Sequence, residues 1–162
     1  MSSFRAIAAV KWMDTLLVSL WKMFHYSPQK YHILKSIQEN VYNLESVKML
    51  KVLTTRWLSH GHACARVASR FKEIVETLDI IFEKSKEPEV KGVREQLLCP
   101  EVLLTILFLA DLLKIVDKLN LWLQRETVNF SNINDKVEAI IKEDLCKNLQ
   151  AATFFLKALS FW

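Results

Sequence analysis

Two glycines, Gly61 and Gly92, and three prolines, Pro28, Pro88 and Pro100, are all that this chain of 162 residues has to turn with. An architecture of many short strands needs a turn every 8–12 residues or so, built mostly from Gly, Pro, Asn and Asp. This supply excludes an all-β fold. Helices need fewer and longer connections, and an apolar fraction of 51% leaves enough hydrophobic surface to close a core around them. The expected fold is all-α, a bundle of about five to six helices in a single domain over residues 1–162. The segment "SKEPEVKGVREQ", where Pro88 and Gly92 stand close together, marks a candidate linker at 85–99.

The periodicity fills in this outline. Leu16, Leu17, Leu20, Trp21 and Phe24 share helical spacing in a first helix over about 4–25. Ser27 then caps a second helix that starts at Pro28, runs to about 40 and carries Tyr31, Leu34 and Ile37 on one side. Residues 50–55 read either as a short strand or as an irregular connector. From about 59 to 86 a single amphipathic helix is predicted. Cys64, Ala68, Phe71, Val75, Leu78 and Phe82 form its apolar stripe, widened by Val67, Ile74 and Ile81, with His62, Arg66 and Arg70 on another face. Pro100 opens a helix whose first half is apolar all round, as befits the middle of a bundle or a surface sheathed by a partner. After "NFSNINDK", with Ser131 or Asn132 as cap, a last helix runs to an apolar ending, "ATFFLKALSFW". Such an ending leads us to expect a fragment of a larger protein, its apolar surface covered by a flanking domain or a second copy.

Charge divides the chain. Residues 1–72 carry +8 and residues 73–162 carry −4, which together make the net +4. A basic first half is compatible with nucleic-acid contact, although a solvated Lys-rich face has the same composition. The three cysteines, Cys64, Cys99 and Cys146, are far apart and form no CxxC pair, so reduced thiols in an intracellular protein are expected. The longest apolar run, 102–110, is too short to span a bilayer, and no signal-peptide pattern opens the chain.

Chemistry-bearing motifs are few. Two glycines cannot build a phosphate-binding loop, and neither a GxSxG elbow nor an HExxH pair occurs. His60, His62 and Cys64 are metal-capable, but at i, i+2, i+4 they converge only if the helix begins after them, so no metal site is assigned. Asp111 ends the apolar run and reads as the first residue of a polar face rather than as a buried catalytic acid. No catalytic residue and no cofactor are expected.

At "LWKMFHYSPQK", "TTRWLSHGHACARV" and "LADLLKIVDKLNLWLQRETVNFSNINDKV" the chain resembles hAT-superfamily transposases, and more narrowly the domesticated, zinc-finger-associated hAT-like proteins. The three blocks stand in the family's order and span roughly residues 16–145. The resemblance implies the helical insertion domain of an RNase H-like transposase, whose Arg-Trp pair contacts DNA, the Trp stacking on bases near the cleaved transposon end. Arg56 and Trp57 match that pair. The catalytic aspartates, the Cys/His block and the BED-type zinc finger that accompany these blocks in the family have no counterpart here, so no enzymatic activity is expected.

The expected function is therefore a transposable-element-derived, nuclear or otherwise intracellular module that binds DNA. Its expected contacts are Arg56, Trp57, Arg66 and Arg70, helped by Lys48 and Lys51; an indole face can stack on any base and a guanidinium can pair a phosphate. Trp57 as a core anchor remains an equal reading. The alternative function is a protein-interaction or dimerisation module that uses the apolar 102–110 and C-terminal helices.

Overall fold

The computed structural model describes residues 3–53, 57–124, 133–140 and 142. These hold seven α-helices and no strand: α1 (Ser3–Tyr26), α2 (Pro28–Ser36), α3 (Trp57–Ser69), α4 (Phe71–Ser85), α5 (Pro88–Leu98), α6 (Pro100–Leu123) and α7 (Ile133–Ile140). The all-α expectation holds. Where a single domain was expected, Met1–Ala110 and Asp111–Trp162 form two compact units, and the main cluster of buried side chains accordingly ends at Ala110.

All three prolines open helices. A proline pushes the residue before it into extended geometry and itself needs no N–H in the first helical turn. Ser27 (φ −120°, ψ 97°), Glu87 (φ −65°, ψ 124°) and Cys99 (φ −66°, ψ 120°) all obey this rule. Ser27 also accepts the Lys30 N–H on its hydroxyl at 3.3 Å, the cap read from the sequence. Pro88 therefore starts a helix instead of marking a linker. Most of the 85–99 segment is α5, whose Val90, Val93 and Leu97 are buried.

The long helix expected over 59–86 is two helices, broken at Arg70 (φ −124°, ψ 26°). Ser69 donates its hydroxyl to the Arg66 carbonyl at 3.0 Å, and the Arg70 N–H is shared between the carbonyls of Arg66 (3.2 Å) and Val67 (3.3 Å). A serine competing for a helical carbonyl loosens the ladder at that turn. Past the break the buried face is Ile74, Leu78 and Ile81, joined by the polar Glu73 and Thr77. Phe71, Val75 and Phe82, expected in the stripe, lie at its half-buried margin.

In the first unit α1 packs against α2, α3 and α5, and α4 against α2, α3 and α5. Leu16, Leu17, Leu20 and Phe24 of α1 meet Leu34, Cys64, Val67, Ile74, Leu78, Val90 and Leu97 in one core. Burying each such side chain contributes on the order of 2 kcal/mol. Trp21, counted with that row from its spacing, is only half-buried. α6 buries Val102, Ile106 and Ala110, successive residues of one ridge, yet leaves Leu107 and Phe108 exposed. Its apolar first half is thus not buried all round among the described residues. Residues 143–162, with the apolar ending, and the caps at Ser131 and Asn132 lie outside the described residues.

Between α2 and α3 the chain is irregular. α2 widens into a π-turn at Ile37–Val41, Asn43 takes left-handed geometry (φ 51°), and the Leu44 N–H closes on the Gln38 carbonyl at 2.8 Å. Residues 43–53 then run without helix or strand, so residues 50–53 are connector; 54 and 55 lie outside the described residues. Gln38, fully buried, pairs with this segment as a neighbouring strand would. Its Oε1 accepts the Val47 N–H at 2.8 Å and its Nε2 donates to the Val47 carbonyl at 3.4 Å. Gln38→Met keeps the volume and removes both bonds, leaving Val47 without partners. We expect a loss of about 2 kcal/mol in urea unfolding, against no measurable loss for Gln29→Met at an exposed site. Equal stability of the two variants would show that the pairing carries nothing.

Candidate nucleic-acid interface

Four of the six residues expected to contact nucleic acid, Lys48, Lys51, Arg66 and Arg70, gather around the irregular segment. Lys48 and Lys51 stand on it, exposed, and Arg66 of α3 and Arg70 at the break before α4 bond to it. Arg66 Nη1 donates to the Lys48 carbonyl at 3.1 Å, and Arg70 Nη2 donates to the Glu45 carbonyl at 3.3 Å. Arg70 Nη1 also lies 3.5 Å from Glu73 Oε1, whose side chain is only 5% exposed. The sequence predicts both arginines to be phosphate ligands. Both have guanidinium N–H groups on main-chain carbonyls, and Arg70 also balances a buried carboxylate. Arg56 and the side chain of Trp57 lie outside the described residues; the backbone at Trp57 opens α3.

The lysines have a different setting. Lys48 Nζ lies 5.5 Å from the centre of the Tyr31 ring, and Lys51 Nζ lies 5.0 Å from that of Trp21. Among the described residues neither has a carboxylate within 4 Å. Beside them the end of α1 groups three rings. Trp21 and His25 stack at 4.6 Å with 19° between planes, and Tyr26 meets both edge-on, at 5.7 and 5.0 Å. Spacing alone cannot find this cluster, because Trp21 sits in register with the core row. The signal in the sequence is aromatic density: "WKMFHY" ends a helix with more rings than one buried face can hold.

The metal-capable trio does not converge. α3 begins ahead of all three residues, so His60 and Cys64 fall on one face while His62 points elsewhere. His60 Nε2 lies 3.3 Å from Asp14 Oδ1, His62 is exposed, and Cys64 is fully buried with its thiol directed at Met13 Sδ, 3.5 Å away. Among the described residues no group of three metal-capable side chains occurs. Asp111 is exposed, as a polar-face residue is. A hollow of about 480 Å³ beside α4 and α5 is lined by Asp79, Lys91, Arg94 and Glu95. Arg94 pairs with Asp79 and Lys91 with Glu95, so these charges are engaged with one another. Comparison of this chain with protein-family models, with curated proteins and with solved structures finds no match.

Two outcomes follow for these side chains. Arg70→Ala strands the buried Glu73 carboxylate and should cost about 3 kcal/mol in urea unfolding. The same change in a Glu73→Gln background should cost less by more than 1 kcal/mol or so, and an equal cost in both backgrounds would mean the pair is not coupled. Burial, and secondarily the Asp14 carboxylate, push the Cys64 thiol up to about 12. The native state therefore keeps this proton at a pH where the unfolded chain, at about 8.5, loses it. Stability from this source is complete below that value and is lost as pH rises toward 12. At pH 8.5 alkylation of Cys64 by iodoacetamide, followed by peptide mass spectrometry, should be about 10³-fold slower in the native protein than in denaturant. Native labelling at the denatured rate would contradict the burial.

Proposed function

We propose that this chain is a transposase-derived helical module of the hAT type, without catalytic activity, that retains nucleic-acid binding. One observation carries the reading: the irregular 43–53 segment is fixed to α2 and α3 so that Lys48 and Lys51 stand exposed on it, with no carboxylate partner among the described residues. The excess of +8 in residues 1–72 supports it, since a basic surface attracts a polyanion by releasing its condensed counterions. On this reading Arg56 and Trp57 match the family's DNA-contacting pair, and the backbone at Trp57 opens α3. Arg66 and Arg70 hold the lysine-bearing backbone in place and act on the ligand through it. The setting would be the nucleus.

A second reading, protein association or dimerisation, is favoured by the apolar side chains that α6 leaves exposed, including Leu107, Phe108, Val116 and Leu121. Light scattering separates the two. A monomer that binds DNA supports the first, and a dimer broken by Phe108→Glu and without DNA affinity supports the second.

The binding reading makes a quantitative demand. On a fluorescent hairpin DNA, anisotropy titrations between 50 and 200 mM salt should give an affinity that falls with salt. Lys48→Ala/Lys51→Ala should flatten the slope of log K against log salt by about 2, one phosphate per lysine. Trp57→Ala should weaken binding by about tenfold if the indole stacks. An unchanged slope would remove the lysines from the interface, and absence of binding at 50 mM salt would refute the function.

A further inference from the structure

Resting on the nucleic-acid reading above, and going beyond the residues it uses, we propose that the end of α1 and the lysine-bearing segment form a stacking site for the unpaired bases of a single strand. Trp21, His25 and Tyr26 supply the aromatic platform, and Lys48 and Lys51 take the flanking phosphates.

The platform is assembled by the helix itself. His25 follows Trp21 by one turn on α1 and Tyr26 is the helix's last residue, and the three rings are in mutual contact. It is not buried: Tyr26 is 71% exposed and His25 is exposed. Such rings at a helix end add little to the core, and their faces can accept an unstacked base of any sequence. A hollow of about 190 Å³ opens between this platform and the next helix, with Trp21, His25, Pro28, Tyr31 and Lys48 on its walls. Aromatic surface thus stands on two sides and a cation on the rim.

The lysines match the same ligand. Each ammonium already lies over a ring, Lys51 over Trp21 and Lys48 over Tyr31, so charge and π-surface are brought within one nucleotide's reach. The exposed Lys22 adds a third cation on the same helix. A strand laid across the site would place a base on the rings and move the flexible ammonium heads from the ring faces to the phosphates on either side. A duplex keeps its bases stacked inside and offers only phosphates, so the rings discriminate in favour of single strands. An acidic peptide would match the lysines but leave the platform idle.

The test is anisotropy on the full chain with three fluorescent probes at 50 mM salt: a 20-mer of thymidines, an abasic 20-mer with the same phosphates, and a 20-base-pair duplex. We expect the thymidine strand to bind at least fivefold more tightly than the abasic one. His25→Ala/Tyr26→Ala, at exposed positions where circular dichroism should remain unchanged, should abolish that difference and leave duplex binding intact. Trp21→Phe should retain most of the affinity while reducing the indole quenching that the thymidine strand produces. Equal affinity for the thymidine and abasic strands would overturn the platform but leave the basic surface standing, as would thymidine binding indifferent to the double substitution. Failure of all three probes to bind would overturn both this site and the function it rests on.

Discussion

The basic edge of this protein depends on a side chain that does the work of a missing strand. Residues 43–53 have no helical ladder, and a backbone that passes over a core without partners for its polar groups is unstable. Gln38 supplies one acceptor and one donor at the spacing of a peptide group and takes both main-chain groups of Val47. Arg70 and Arg66 take the carbonyls of Glu45 and Lys48, and the Ser59 hydroxyl takes both the N–H and the carbonyl of Leu53. Four side chains, Gln38 from the π-turn, Ser59 and Arg66 from α3 and Arg70 from the break before α4, together imitate a neighbouring strand. Met49 and Val52 can then be buried while Lys48 and Lys51 face outward, and this arrangement positions the two lysines of the candidate interface.

The scarcity of glycine and proline was enough to read the fold class, because it limits how often the chain can reverse. The same prolines were read unevenly. Pro28 and Pro100 were recognised as helix starts since apolar periodicity follows each one. Pro88 was not, because α5 is short, strongly charged and interrupted by Gly92, and only three of its residues, Val90, Val93 and Leu97, enter the core. The break at Arg70 was also hidden. Ser69 and Arg70 are acceptable inside a helix by propensity, and what ends the helix there is a competition for carbonyls that involves Ser69 and the tertiary partners of Arg70.

For the site, the positions of the cations could be read but not their employment. Lysines and arginines look alike to a charge count, and the difference between them emerged only when the 43–53 segment had a location. Arg70 sits beside a buried carboxylate that spacing alone would have assigned to the polar face, since Glu73 follows Arg70 by three residues. The aromatic cluster at the end of α1 was concealed in the opposite sense. Trp21 has the register of a core residue but is only half-buried, whereas Phe24, three residues on, is in the core.

This division of labour between the two cations limits the kind of recognition the surface can perform. A guanidinium reads phosphates and base edges bidentately, with geometric precision, whereas an ammonium on a flexible stem acts as a point charge. Arg66 and Arg70 have guanidinium N–H groups on carbonyls within the protein, so the freely presented charge is that of lysines. Rings stack on any base with little preference. Lysine charge beside aromatic faces should therefore bind a polyanion in a salt-dependent, sequence-tolerant manner, and any sequence preference would have to come from elsewhere, Arg56 and Trp57 foremost. On the proposed reading, arginines that fix the scaffold and lysines that meet the ligand would make stability and binding separable. Substitutions at Arg70 would then act first on folding, and those at Lys48 and Lys51 first on the ligand.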